Sequence, residues 1–282
     1  MTNEIINKIV QENAKRNAEV YAKFDPISGK GSVGERERVR IKDFPVKVQY
    51  LPVEMMNIPL VKRLIQYGSI DALLKAINKE EHNSEDYEYP EEDYEVDRLK
   101  VIQQFVRLRC RYDFPFWAAF YVYIKNKGGG EDVLFRLTRP QRRFVERLER
   151  LRKAKKPIRL VLLKARQWGG STTSQIYMAW LQLVHKVGLN SLIIAHQGAG
   201  SDEIKDMFDR MIKSYPVEML HKLGETYNEN EAKLVGVGKS GSIHRVPQRN
   251  CKIKIGTAER PDSCRGGDYN LVHLSEVGLW KV

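Results

Sequence analysis

Cysteine is scarce in this chain. Cys110, Cys251 and Cys264 are widely spaced and odd in number. That excludes a disulfide scaffold and a cysteine-rich zinc module, and it fits a reducing cytoplasm. No apolar run comes near the roughly 18 residues that a membrane-spanning helix needs. The first residues, MTNEIINKIVQENAKRNAEV, lack the apolar stretch of a secretion signal. His185, His221 and His244 are scattered without metal-ligand spacing and read as structural or surface residues. There is no internal repeat. Apolar residues in general are not lacking: at 42% of 282 residues they suffice for a sizeable core, which excludes a largely disordered protein. The length suggests about two domains.

Acidic residues are short relative to basic ones, by 12 over the whole chain. The shortage is uneven. Glu80 to Asp97 holds ten acidic residues and no Lys or Arg, so outside that block the basic excess is 22. Such an excess fits a polyanionic partner, of which nucleic acid is the commonest; a basic but inert surface is the plainer reading. The acidic block itself reads as a solvated connector or the start of the next helix rather than a mimic of DNA phosphates.

Residues 1–20 read as a polar amphipathic helix and the Gly- and charge-rich stretch after it as a loop or arm. Pro45, Pro52 and Pro59 make the next segment irregular or built of short strands. Residues 60–78 have helical spacing, with Gly68 as a break. Residues 98–126 form helix, and their many aromatic residues, from Phe105 to Tyr123, are expected to pack a small N-terminal core. Val133–Leu137 reads as a short strand. Thr138-Arg139-Pro140-Gln141 is a capping box with proline in the first turn, a strong helix start. Apart from Arg159, Ile158–Leu163 is an apolar run, the pattern of a buried parallel strand. A helix then runs to about Val187 and closes at Gly188. Ser191–Ala195 is strand-like, Ser201 caps a helix to Ser214, Cys251–Gly256 alternates as a strand, and Leu271–Leu274 reads as another buried strand. This alternation predicts an α/β fold with a doubly wound, mostly parallel sheet and flanking helices in residues 101–282, after an arm, helical region and acidic connector in residues 1–100.

Ile158–Leu163 leads into Lys164-Ala165-Arg166-Gln167-Trp168-Gly169-Gly170-Ser171-Thr172 and then a helix. Strand, Gly loop and helix N-terminus are the parts of a phosphate cradle, because the orphan amides and dipole of a first helical turn face an anion. Against the pattern G-x-x-x-x-G-K-[ST], Gly169 fills the second Gly position and Ser171 the hydroxyl that can ligate Mg2+. Gly170 stands where lysine is expected, so Lys164 and Arg166 are the candidate phosphate cations. An ordinary turn with accidental glycines is the alternative. Downstream, the strand Leu271–Leu274 ends in Ser275-Glu276. ATPases of this class place an acid at a strand tip to hold the Mg2+ shell and a Glu to activate water. Ser275 stands in the place of the usual Asp, and Glu276 is the candidate base. The two strands are expected to be neighbours or near-neighbours, opening their C-terminal ends into one crevice.

Taken together, Lys-Ala-Arg-Gln-Trp-Gly-Gly-Ser-Thr (164–172) and His-Leu-Ser-Glu-Val-Gly-Leu-Trp (273–280) resemble the ATPase domain of the large terminase subunit of tailed bacteriophages. Some members carry their essential lysine at the start of the loop, which matches Lys164. Gln141 resembles the family's adenine-contacting glutamine, and Arg265-Gly266-Gly267 a recurrent Arg-Gly before the last strand. The likeness covers roughly residues 105–282. It implies a P-loop NTPase fold of the ASCE, RecA-like kind. It also implies ATP and Mg2+ as ligands, with Gln141, Lys164, Arg166, Gln167, Gly169, Gly170, Ser171 and Thr172 around the nucleotide. Ser171 and Ser275 would lie near the metal, and Glu276, Arg166 and Arg265 at the reaction.

The activity that the likeness implies is ATP-driven movement of viral double-stranded DNA into a procapsid. The motor would be a homo-oligomeric ring, with portal protein and small terminase subunit as partners, in the cytoplasm of the bacterial host. The chain ends six residues after Glu276, so the nuclease domain of such proteins is not expected in it, nor is nuclease activity. Two other readings stand: a helicase-like or other P-loop ATPase acting on nucleic acid, and a DNA- or portal-docking module without turnover. Arg136 to Arg166 holds thirteen Lys or Arg against two Glu. Around the helix after Pro140, Arg142, Arg143, Arg147, Arg150 and Arg152 read equally as a solvated face or a phosphate track. Arg139 is a third candidate, beside Arg166 and Arg265, for a charge on the γ-phosphate.

Overall fold

The computed structural model describes residues 3–21, 24–82, 90–126, 128–163, 168–237 and 242–280. The first helix, α1 (Asn3–Tyr21), exposes every residue from Glu4 to Ala14. Strands β1 (Arg36–Arg40) and β2 (Val48–Pro52) then pair antiparallel, Val39 opposite Gln49. Helix α2 (Pro59–Tyr67) starts on proline and ends at Gly68, whose φ of 70° gives a left-handed cap that donates to the Leu64 carbonyl. Helix α3 (Ile70–His82) follows at once, its first amides of Ile70 and Asp71 held at 2.8 and 2.9 Å by the Asp43 carboxylate. That carboxylate satisfies orphan donors and favours the positive helix end. Leu51, Met55, Val61, Leu64, Leu73 and, from α4 (Glu91–Tyr112), Val101 and Phe105 close a core around these elements.

A second, larger core begins at α5 (Phe114–Tyr121). Phe114, Phe116 and Trp117 were expected in a small N-terminal core; they pack instead against the α/β half, with Phe114 edge-on to Tyr177 and Trp180. After the two-residue strands β3 (Tyr123–Ile124) and β4 (Val133–Leu134) come α6 (Arg139–Lys153) and α7 (Gly170–Trp180), the latter extended by one π-helical turn, Leu181–His185. Then follow β5 (Ser191–Ala195), α8 (Gly198–Ser214), β6 (Val235–Val237), β7 (Ile243–Val246), β8 (Cys251–Thr257) and β9 (Leu271–Leu274). The sheet order is β6-β7-β8-β5-β9. β5 runs parallel to β8 and β9, whereas β6 and β7 are antiparallel. The fold is thus mixed α/β, with eight α-helices and a five-stranded mixed sheet among the described residues. None of those helices is long and apolar enough to cross a membrane.

Several expectations are corrected. The sheet, expected to be mostly parallel, is mixed: the short strands β6 and β7 run antiparallel, and neither is long enough to show a period in the sequence. Ser201 lies inside α8; Gln197 is its cap. Leu271–Leu274 is a strand, but an edge strand: Val272 and Leu274 are 53% and 46% exposed. Ile158–Leu163 forms no strand, and Val161 and Leu163 are fully exposed. An apolar run is buried on both faces only when strands flank it, and among the described residues nothing pairs with this one. It is therefore not a sheet neighbour of β9.

Candidate functional site

Two helices converge on the glycine loop. At the start of α6, Thr138 and Gln141 form the expected capping box: the Gln141 carboxamide oxygen accepts the Thr138 N–H at 2.7 Å. The same side chain, 5% exposed, donates through Nε2 to the carbonyls of Trp168 at 3.2 Å and Gly169 at 3.4 Å. Gln141 thereby ties the α6 cap to the loop. Farther along, Tyr177 Oη of α7 donates to Glu149 of α6 at 2.6 Å, and Arg152 grips both oxygens of that carboxylate at 2.7 Å. Burial, then the Glu149 charge, pushes the Tyr177 hydroxyl well above its usual range, so it stays a donor.

Gly169 precedes α7 with φ of 79°, a left-handed backbone that favours glycine. A Cβ there would lie 2.5 Å from Gln141 Nε2. Its carbonyl accepts from both the amide and the hydroxyl of Thr173, at 2.9 and 2.8 Å, which sets the first turn. Gly170 is buried, and Ser171 and Thr172 are half-buried in that turn. At the tip of β9, the Ser275 amide donates to Ile194 at 2.9 Å, and the Trp280 indole donates to the Ser275 carbonyl at 3.0 Å. The Ser275 hydroxyl lies 3.4 Å from that of Ser171. Glu276, exposed, has φ of 56°, a left-handed conformation uncommon outside glycine. Such strain gathers at functional sites.

Beside the loop is a cavity of about 500 Å³ between α6 and the 158–163 segment, lined by Arg139, Pro140, Arg143, Phe144, Arg147, Leu160, Val161, Leu162 and Trp168. That volume is in the range of small-ligand sites. Phe144 and Trp168 meet edge to face at 6.1 Å, and the buried Trp168 indole N–H finds no acceptor among the described residues. The sequence marks Trp168 only by its place directly before the Gly169-Gly170 pair.

The structure therefore brings Gln141, Gly169, Gly170, Ser171, Thr172, Ser275 and Glu276 to one corner. Lys164, Arg166 and Gln167 lie outside the described residues. Arg265 sits on an exposed turn, paired with Asp262 at 3.1 Å, and none of its described bonds reaches Ser171, Ser275 or Glu276. Of the α6 arginines, Arg142 lies over the Phe24 ring at 4.4 Å and Arg152 is held by Glu149, while Arg143, Arg147 and Arg150 are exposed along one side. Among the described residues no group of three or more His, Cys, Asp or Glu could hold a metal ion. No protein-family model matches the chain, and no curated protein matches it either.

Proposed function

We propose that this chain is the ATPase of a viral DNA-packaging motor, a terminase large-subunit ATPase that drives double-stranded DNA into a procapsid. The observation that carries the reading is the meeting of its two distant motifs, Ser171 of the loop and Ser275 of the strand tip, at 3.4 Å. In an α/β sheet, ligands bind at the carboxyl ends of the parallel strands, and β9 and β5 both end beside this corner. On this reading the core is a P-loop NTPase of the ASCE, RecA-like kind.

The residues present fit a nucleotide. The Gly169 backbone offers an approach that a side chain would block, the first turn of α7 supplies amides and a positive dipole end, and the Trp168 N–H lacks an acceptor among the described residues. They also fit Mg2+ in a limited way: Ser171 and Ser275 contribute hydroxyls, and phosphate oxygens and water complete the shell. Bound there, the metal would neutralise charge on the β and γ phosphates. Lys164 takes the place of the missing loop lysine, with Arg166 and Gln167 beside it. Glu276 orients and deprotonates the attacking water, and Arg166 or Arg265 balances the γ-phosphate, the latter within the chain or from a neighbour in a ring. Portal protein, small terminase subunit and a bacterial host cytoplasm follow from the motif resemblance. The exposed row Arg143, Arg147 and Arg150 offers a track for duplex phosphates.

The test is DNA-stimulated phosphate release. Duplex DNA is expected to raise turnover without strand separation, and Glu276→Gln to retain ATP while losing about 10²–10⁴ in rate, as for a removed general base. An active parent whose rate survives Glu276→Gln would remove Glu276 from that role.

A further inference from the structure

The β1–β2 ribbon turns its two faces to different surroundings. Val39, Gln49 and Leu51 are buried on the inner face, where Arg109 of α4 donates to the Gln49 carboxamide at 2.8 Å. Arg38 and Arg40 alternate with Val39 and stand exposed on the outer face, opposite half-buried Tyr50 and Val48. Exposed Lys42 follows at the next alternate position. Among the described residues no side-chain bond or ion pair engages Arg38, Arg40 or Lys42. The acids that flank these positions in sequence are turned or committed elsewhere. Glu37 stands opposite Leu51, in the register of the inner face, and the Asp43 carboxylate holds the first α3 amides. The ribbon also adjoins the arginine row of α6. Lys153, the last residue of that helix, reaches Glu54 just past β2 at 2.5 Å, so the row Arg143, Arg147 and Arg150 leads to the end of the ribbon.

We propose that the outer face of β1–β2 is a second contact surface for duplex DNA, on which Arg38, Arg40 and Lys42 take the phosphate backbone. The proposal rests on the duplex-binding reading above and on no reading of the nucleotide site. Strand residues two apart are spaced by ~6.7 Å. That equals two of the ~3.4 Å axial steps at which one DNA strand carries its charges. Three cations in line therefore follow the backbone of one strand. An ordinary solvated surface intersperses both signs, whereas this face carries cations alone, and such a patch draws a polyanion. The connection between the strands is tied down: the Ile41 amide donates to the Lys47 carbonyl and the Lys42 amide to the Gly68 carbonyl, both at 2.9 Å. The face thus lies flat on the body and meets the duplex backbone rather than entering a groove. Backbone contacts carry no sequence information, so this surface adds affinity without base preference.

Fluorescence anisotropy of a labelled, mixed-sequence duplex over a salt series, with the full 282-residue chain, tests this. Arg38→Ala with Arg40→Ala should weaken binding at low salt at least about tenfold. The slope of log affinity against log salt should become shallower by about 1.8, the share of two phosphate contacts. Arg38→Lys with Arg40→Lys keeps the charge and should keep the slope. Lys186→Ala with Lys222→Ala removes two exposed cations from the α/β half and should leave the slope unchanged. All these positions are exposed, so circular dichroism should show every variant folded. Arg143→Ala with Arg147→Ala, measured alongside, separates this proposal from the reading it rests on. If that pair flattens the slope and the ribbon pair does not, duplex binding stands and the ribbon surface is overturned. The ribbon surface is equally overturned if the Lys186 and Lys222 pair flattens the slope as much as the ribbon pair does. An unaltered chain that does not bind the duplex overturns both.

Discussion

His185 shows how a single side chain sets a pH limit. It meets Trp180 edge-on at 4.2 Å, and its Nε2 is buried without a partner among the described residues. Burial, and then the charges of Arg152, Arg111 and Arg249, push its pKa down to about 3. The folded state thus refuses a proton that the unfolded state takes up near pH 6.5. Stability associated with His185 is full above that value and is lost as pH falls, by up to about 1.4 kcal/mol per unit until the folded pKa is reached. His221 acts in the opposite sense: its bond to Glu231, and further ones to Glu225, raise its pKa, so its contribution is present in acid and fades as pH rises. Comparing urea unfolding of the chain and of His185→Gln between pH 7 and 4.5 isolates the first effect. The variant should lose less stability on acidification; parallel curves would contradict it. At this scale the sequence was informative where chemistry names its own residues. Ser171, Ser275 and Gln141 could be picked from motif spacing, and the structure brings them to one corner. The Trp168 indole, without an acceptor among the described residues, could not, because nothing in a sequence says which donors lack acceptors.

The arm before α2 is joined to the helices by a buried ion cluster. Arg36 of β1 grips Asp113, the residue between α4 and α5, through both guanidinium nitrogens at 2.8 Å. Arg109 of α4 adds a bond at 3.3 Å and reaches Gln49 of β2 at 2.8 Å. Burial alone would raise the Asp113 carboxyl; Arg36 first and then Arg109 outweigh it and hold the pKa below the usual carboxylate range. Asp113→Asn leaves two buried guanidiniums without a counter-charge, and a loss of about 3–5 kcal/mol is expected. Chemical denaturation checks it, and a loss under about 1 kcal/mol, the level of an exposed pair, would show that the cluster is not what joins the arm. Elements with local signals were legible: the Gly68 break between α2 and α3, and the Thr138 capping box of α6. Those that depend on a distant partner were not. Ile158–Leu163 has the composition of a buried strand, but burial belongs to the neighbours that flank it. Strands β6 and β7, three and four residues long, are too short to show a period.

Across the whole molecule, the basic excess of 22 outside the acidic block predicts duplex binding with little sequence preference. Each phosphate neutralised releases counterions, so log affinity should fall against log salt with a slope of about −0.9 per phosphate contacted. Filter binding or anisotropy over a salt series measures it, and Arg143→Ala with Arg147→Ala should make the slope shallower by about two contacts. Salt-independent binding would remove the track reading. The coarse α/β class was legible in the alternation of apolar runs with helical periods; the mixed sheet order was not, because strand order depends on contacts between segments far apart in the chain.

The account rests most heavily on the Gly169 loop as a nucleotide cradle, and isothermal titration with ATP and Mg2+ tests that directly. The unaltered chain should bind one ATP. Gly169→Ala places a Cβ against Gln141 Nε2 and strains a left-handed backbone. It should weaken ATP binding at least about tenfold, about 1.4 kcal/mol, while near-ultraviolet circular dichroism shows the variant still folded. ATP bound equally well by the folded Gly169→Ala variant, or not bound by the unaltered chain, would contradict the account.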